Sequence, residues 1–177
     1  AKNNYGIDPF SVIRRAENIS FRFQRCPAMG SLFKVLKEDR QYEPDESGLV
    51  ILPADALPGL SVSLELLKFP EQLKRFPAGS LRGVRFAYTT PTKIDSCLEM
   101  ICNWEKLTYL ALENVEVDKK GAAALKECKN LDQLKLESTN LSPQDIAQMP
   151  CLRRLQRLEI KKAENVTAVL KKLEGCT

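Results

Sequence analysis

The prediction of the fold rests on residues 131–154, LDQLKLESTNLSPQDIAQMPCLRR. This stretch begins with the pattern L-x-x-L-x-L, and the pattern recurs 24 residues earlier and 24 residues later (131 − 107 and 155 − 131). Residues 107–130 read LTYLALENVEVDKKGAAALKECKN, and residues 155–177 read LQRLEIKKAENVTAVLKKLEGCT. The aligned apolar columns are Leu107, Leu131 and Leu155; Leu110, Leu134 and Leu158; and Leu112, Leu136 and Ile160. A fixed period of roughly 20–50 residues indicates stacked repeats.

Each repeat begins with a predicted strand. In the central repeat, Leu134 and Leu136 are apolar, and they alternate with Gln133, Lys135 and Glu137. A period of two is typical of a strand with one buried face and one solvated face. The strand therefore buries its leucines and presents its polar side chains to solvent.

A helix follows each strand. In the central repeat Ser142 is a favoured N-cap residue, Pro143 suits the first helical position, and Asp145 completes a capping box. Asp118 and Asn165 are the predicted helix starts of the neighbouring repeats. One repeat is therefore a strand, a turn, a helix and a return segment.

Weaker copies of the repeat precede residue 107. Residues 81–86, LRGVRF, predict a strand, and Thr92 with Asp95 predicts a capping box before the next helix. Residues 61–66, SVSLEL, predict the first strand of the series. Successive strands joined by helical crossovers are parallel and right-handed. We count five repeats, at residues 60–80, 81–106, 107–130, 131–154 and 155–177.

The first 59 residues do not keep this period. Residues 19–23, ISFRF, alternate in polarity and predict a strand. Residues 32–36 and 49–52 flank the turn-rich sequence EPDESG at residues 43–48, which predicts a hairpin. Terminal units of stacked repeats are atypical because they close the core against water. We therefore predict that residues 1–59 form an N-terminal cap, which has room for one or two degenerate repeats.

Residues 60–177 resemble the leucine-rich-repeat family, and the likeness is strongest over residues 107–177. The 24-residue unit is similar to bacterial repeats of this family, which are themselves similar to ribonuclease-inhibitor-like repeats. Residues 117–121, VDKKG, occupy the place of the family motif V-T-D-x-G, and the next unit lacks the glycine. The resemblance implies an α/β fold, a right-handed leucine-rich-repeat solenoid with a parallel concave sheet and helices on the convex side. It also implies a role in protein binding.

Composition excludes several classes of function. The chain of 177 residues contains no histidine, which removes the Ser-His and Cys-His nucleophile pairs and the usual general base near neutral pH. We therefore predict no catalytic residue, no cofactor and no metal site, and an enzyme that uses carboxylates is the distant alternative. The 27 basic residues are spread among 23 acidic ones, which argues against nucleic acid as a partner. No long uncharged apolar run predicts a membrane span.

Six cysteines stand at positions 26, 97, 102, 128, 151 and 176, and none forms a CxxC pair that would indicate zinc. Cys128 and Cys176 share one column two repeats apart, which places them about 10 Å apart and too far for a disulfide. The pairing of Cys128 with Cys151 stays open. A reducing, cytoplasmic compartment is favoured over a secreted one.

The polar strand positions define a predicted binding surface, because side chains at alternate positions share one face of a sheet. Charges of both signs alternate along this face, and tyrosine is common at interface hot spots. The predicted partner-binding residues are Arg85, Tyr88, Tyr109, Glu113, Gln133, Lys135, Glu137, Arg157, Glu159 and Lys161.

Two functions fit this surface. The first is a non-catalytic protein–protein recognition module that binds a protein or a peptide through the concave sheet face. The second is a structural or regulatory segment of a larger assembly that uses the N-terminal cap or the flanks. The polar face also has a purely structural explanation. Any solvated sheet face needs polar residues, and opposite charges on adjacent strands stabilise the sheet by about 0.2–1 kcal/mol per pair.

Overall fold

The computed structural model describes residues 11–14, 17–22, 30–34, 37–42, 49–162 and 166–174. Within these residues ten strands form two sheets, one of three strands in the order β1-β2-β5 and one of seven in the order β10-β9-β8-β7-β6-β3-β4. The strands are β1 (Ser11–Arg14), β2 (Asn18–Arg22), β3 (Gly30–Lys34), β4 (Lys37–Tyr42), β5 (Leu49–Pro53), β6 (Pro58–Val62), β7 (Gly83–Lys93), β8 (Tyr109–Glu116), β9 (Gln133–Thr139) and β10 (Arg157–Lys161).

Strands β6 to β10 are parallel, and their register follows the sequence period. Val84 pairs with Leu110, Leu110 with Leu134, and Leu134 with Leu158. The same backbone hydrogen bond begins successive strands, because the Gln133 N–H donates to the Thr108 carbonyl at 3.0 Å and the equivalent bond recurs one repeat later. The strands predicted in the repeats from residue 81 onward are therefore confirmed.

The predicted fold class is nevertheless wrong. The large sheet is mixed rather than wholly parallel, since β3 runs antiparallel to both β4 and β6. A separate antiparallel sheet of β1, β2 and β5 has no place in a right-handed solenoid built from parallel strands. The 24-residue period constrains only the strands that carry it, and it says nothing about chain segments that lack it. Links as short as the one from β3 to β4 require antiparallel pairing.

Two local predictions in the first part of the chain also fail. The first parallel strand is β6, not residues 61–66, because Leu60 rather than Leu64 pairs with Val84. Ser63 instead accepts a hydrogen bond from the Leu66 N–H and begins a short helix. The predicted hairpin does not form, since β3 pairs with β4 and β6 whereas β5 pairs with β2 in the other sheet. The turn at residues 43–48 and Phe23 lie outside the described residues.

The helices are α1 (Leu64–Leu67), α2 (Asp95–Ile101), α3 (Lys119–Leu125), α4 (Pro143–Ala147) and α5 (Thr167–Leu173), with 3-10 helices at Pro70–Arg75 and Leu152–Arg154. Asp118 caps α3, and the capping box of Ser142 and Asp145 is confirmed at α4. The capping box predicted at Thr92 is absent because β7 extends through that residue and Ile94 precedes α2. The predicted cap Asn165 lies outside the described residues.

The helices pack against one face of the large sheet. Leu110 and Leu134 on the strands share one core with Leu98 and Leu125 on the helices, and all four are at most 2% exposed. Asp95 joins α2 to the next repeat, since its Oδ1 accepts a hydrogen bond from the Asp118 N–H at 2.8 Å. One face of the sheet is therefore used for the core, and the opposite face carries the polar positions together with a small buried cluster of Tyr109 and Ala111.

A disulfide links consecutive repeats. Cys102 at the end of α2 and Cys128 after α3 are joined, with their Cα atoms 4.6 Å apart. The pairing of Cys128 with Cys151, which the sequence left open, is not formed, since Cys151 is a free, buried thiol. Cys97 is also free and buried, and burial raises the pKa of its thiol to about 12.

Candidate functional site

The candidate site is the charged sheet face, which we define as Arg85 on β7, Glu113 on β8, Gln133, Lys135 and Glu137 on β9, and Arg157, Glu159 and Lys161 on β10. These side chains share one face because they occupy alternate strand positions that the register aligns. Neighbouring parallel strands carry Ala111, Lys135 and Glu159 in adjacent places. The structure therefore brings together eight of the ten residues predicted from the sequence.

A bridged ion cluster lies at the centre of this face. Arg85 donates from Nε to Glu113 Oε1 at 3.0 Å and from Nη2 to Oε2 at 3.4 Å. Lys135 Nζ lies 3.2 Å from the same Glu113 Oε1. The Glu113 side chain is only 14% exposed, so it holds cations from both neighbouring strands in a partly dehydrated place. The cluster fixes one side chain on each of three adjacent strands.

Exposure rises toward β10. Lys162 Nζ lies 3.2 Å from Glu137 Oε1 and is 69% exposed, and Lys161 is paired with Glu159. A hydrogen bond from Lys161 lowers the pKa of Glu159, and the same bond raises the pKa of Lys161. Both groups are therefore held in their charged forms. The part of the face nearest β10 presents ionised groups to solvent.

The two tyrosines do not belong to the exposed surface. Tyr109 is 2% exposed and forms a small cluster with Ala111, against which Leu57 packs. Tyr88 packs against the main core, and its hydroxyl donates to the Val62 carbonyl at 3.1 Å. Burial raises the pKa of Tyr88, and the nearby Cys97 adds to this effect. Tyr109 lies on the same sheet face as Gln133, with which it is in register, but Leu57 covers it, and Tyr88 is only partly exposed.

Lys162, which shares one repeat column with Asn114 and Ser138, was not among the predicted partner-binding residues, and its contact with Glu137 adds it to the site. Its φ is 55°, and Asn114 and Ser138 have φ values of 52° and 50° at the equivalent places in β8 and β9. The left-handed residues Asn114 and Ser138 do not end their strands, because Val115 and Thr139 directly after them are still paired. The 24-residue spacing of these three positions was the available signal, and of the three residue types only asparagine favours a left-handed backbone.

Two acidic groups outside this face, Asp118 and Asp145, have structural partners. Asp118 and Asp145 line one surface depression, yet Asp118 caps α3 and Asp145 belongs to the capping box of α4. The backbone N–H groups of Lys120 and Gly121 lower the pKa of Asp118. Among the residues with described placement, no group of three or more cysteine or carboxylate side chains is arranged to hold a metal ion.

No helix in the described parts of the chain has the length and apolar character needed to cross a membrane. Comparison of the chain with protein-family models, with curated proteins and with solved structures gives no match. The resemblance to leucine-rich repeats therefore stays a prediction from the sequence.

We expect Glu113→Gln to lower the free energy of unfolding by about 1–2 kcal/mol, because hydrogen bonds to charged groups exceed neutral ones and Glu113 is largely dehydrated. The substitution also leaves Arg85 and Lys135 facing each other without the carboxylate. Urea denaturation measures the change. Glu65→Gln is the matched control: its pair with Lys68 is exposed on both sides, so its loss costs less than about 0.5 kcal/mol. Equal effects for the two variants would show that the cluster adds nothing beyond a surface ion pair.

Proposed function

We propose that this chain is a non-catalytic recognition module that binds a protein or a peptide through the charged sheet face. One observation carries the proposal: a contiguous array of charged side chains on β7 to β10 whose inner members are fixed by Glu113 and whose outer members are solvated. The Glu113 side chain is 14% exposed and the Lys161 side chain is 55% exposed.

Preorganisation supports this proposal. A surface whose side chains are already held by ion pairs loses less conformational freedom when a partner binds. Lys135 and Glu137 are 20% and 22% exposed and lie between the inner cluster and the solvated edge. They are the positions where a partner's charges would meet both the fixed inner cluster and the solvated outer side chains. Alternating signs favour selectivity, because a partner with the wrong pattern meets like charges.

The test exchanges the two charges of β9. The double variant Lys135→Glu, Glu137→Lys keeps the net charge and inverts the pattern. Affinity capture from an extract of the native source first identifies a partner by mass spectrometry, and calorimetry with the purified partner then measures binding. We expect the double variant to bind at least about tenfold more weakly, as for misplaced interface charges.

A matched exchange controls for charge redistribution. Glu65→Lys, Lys68→Glu inverts an exposed ion pair of 2.8 Å on α1, away from the site. This control should bind the partner as the wild type does. Unchanged partner binding by the β9 variant, with a melting curve that confirms its fold, would contradict the proposal.

The second candidate is a structural or regulatory segment that uses the N-terminal part of the chain. Ile51 on β5 favours it, because this large apolar side chain is 54% exposed in the three-stranded sheet. If Ile51→Asp abolishes partner binding while the β9 exchange does not, the second candidate replaces the first. Deletion of residues 1–59 is not a clean test, since it removes β3 from the large sheet.

A further inference from the structure

Strand β10 is an edge of the large sheet, and within the described residues no strand pairs with its outer side. The Arg157 N–H donates to the Asp132 carbonyl on the side of β9. Backbone groups alternate in direction along a parallel strand, so the N–H and C=O groups of Leu158 and Ile160 point to the outer edge. Such an edge is a template for an added strand.

The apolar side chains of the last repeat are less covered than their equivalents. Leu110 and Leu134 are 0% and 1% exposed, whereas Leu158 in the same row is half-buried. Leu112 and Leu136 are likewise 0% and 1% exposed, and the equivalent Ile160 is half-buried. Leu131 is fully buried and Leu155 is half-buried. The row of apolar side chains therefore continues to the edge strand, where no further strand and helix cover it within the described residues.

The net charge around β10 indicates which kind of partner would bind at this edge. Residues 153–174 contain seven Lys or Arg and three Asp or Glu, a surplus of 7 − 3 = +4 that equals the net charge of the whole chain. Arg157, Lys161 and Lys162 are all exposed on β10 or directly after it. A second copy of this chain would bring the same positive surplus against itself. An acidic partner would be attracted instead.

We infer that β10 accepts an extended segment of a partner protein in which acidic and apolar residues alternate, added as a strand along its outer edge. The apolar residues of that segment would cover Leu158 and Ile160 on one face. Its carboxylates would lie beside Arg157 and Lys161 on the other. This mode is β-strand addition, in which main-chain hydrogen bonds give affinity and alternate side chains give selectivity. The inference rests on the proposed recognition function and adds the partner's chemistry and mode of binding.

Nucleic acid fits this edge less well. A basic surface alone would serve a phosphate backbone, but here charged residues of both signs, Arg157, Glu159 and Lys161, alternate along the strand with half-buried apolar side chains. A phosphate backbone has no groups that would cover Leu158 and Ile160. The row of apolar side chains therefore favours a peptide strand.

The test uses a synthetic peptide of alternating glutamate and valine as the probe. The control peptide has the same composition, with its glutamates grouped at one end. Fluorescence anisotropy measures affinity, and amide hydrogen exchange followed by NMR measures protection. We expect the alternating peptide to bind more tightly than the grouped peptide and to slow exchange at the Leu158 and Ile160 amides.

Two substitutions separate edge pairing from simple charge attraction. Ile160→Pro removes one outward N–H, and proline is tolerated on an edge strand. We expect this substitution to weaken binding of the alternating peptide by about threefold to tenfold, as for the loss of one hydrogen bond. Ile160→Val keeps the N–H and should bind as the wild type does. Lys161→Glu should also weaken binding, whereas Lys74→Glu, an exposed charge reversal on the distant 3-10 helix, should not.

Several outcomes would overturn the inference. Equal binding of the two peptides, or no added exchange protection at Leu158 and Ile160 in the wild type, would show that the peptide is held by nonspecific charge attraction alone. Self-association that Ile160→Pro abolishes would assign the edge to a second copy. Full competition by single-stranded oligonucleotides would assign it to nucleic acid. A further outcome separates the two proposals. If the peptide does not bind, but the Lys135→Glu, Glu137→Lys variant still loses its partner, strand addition is rejected and the proposed function stands.

Discussion

The Leu134→Ala variant is expected to lose about 2–5 kcal/mol of unfolding free energy, the range for truncating a fully buried leucine. Leu134 is 1% exposed and lies in the central row of the parallel strands, between Leu110 and Leu158. Its removal takes contacts from both neighbouring strands and from the helices behind them, and the close-packed surroundings collapse only partly around the space. Urea denaturation, followed by circular dichroism and intrinsic fluorescence, measures the loss.

Leu158→Ala is the control for this prediction. It makes the same chemical change at the same place of the next repeat, but Leu158 is half-buried on an edge strand. We expect it to cost clearly less than Leu134→Ala, because less of its surface is removed from water on folding. An unchanged stability of Leu134→Ala, or equal losses for the two variants, would contradict the described packing of the parallel strands.

Opening the disulfide between Cys102 and Cys128 is expected to lower stability by about 3.5 kcal/mol, the loop-entropy estimate for a cross-link of this length. The two residues are 26 apart in sequence and bind α2 to the segment after α3. The measurement compares urea midpoints of the wild type with and without a reducing agent. Both sulfurs belong to buried residues, so the reductant is added under mild denaturation before refolding.

The double variant Cys102→Ala, Cys128→Ala is the control for this second prediction. Its stability should match that of the reduced wild type approximately and should not respond to the reducing agent. Thiol counting by mass spectrometry after alkylation of the unfolded protein provides an independent readout. A wild type that is equally stable in both redox conditions would contradict a role for this bond in stability.

The local elements of residues 81–161 could be predicted because their signals are local. Period-two alternation around Leu134 and the capping box of Ser142 and Asp145 each depend on residues close in sequence, and both are found. The constant 24-residue spacing also fixed the parallel register of β8, β9 and β10, since equal repeats can only align in step. The charged sheet face follows from that register.

The site was predicted less completely than the strands. Glu113 and Lys135 were identified as members of one face, and their ion pair follows from diagonal positions on adjacent strands. The burial of Tyr109 was not predicted, because alternation tells which side of the sheet a residue occupies but not what covers that side. Leu57, which packs against the Tyr109 cluster, comes from a loop more than fifty positions away.

The sequence by itself determined the repeat length, the strands and helices from residue 81 onward, and which strand residues are apolar. Only the tertiary structure decided that β3 and β4 extend the parallel strands into a mixed sheet, and that β1, β2 and β5 form a second sheet. The reason is that a periodic pattern specifies contacts between its own copies. The contacts of aperiodic segments depend on which unpaired strand edges and apolar surfaces remain, and that is fixed only when the whole chain has packed.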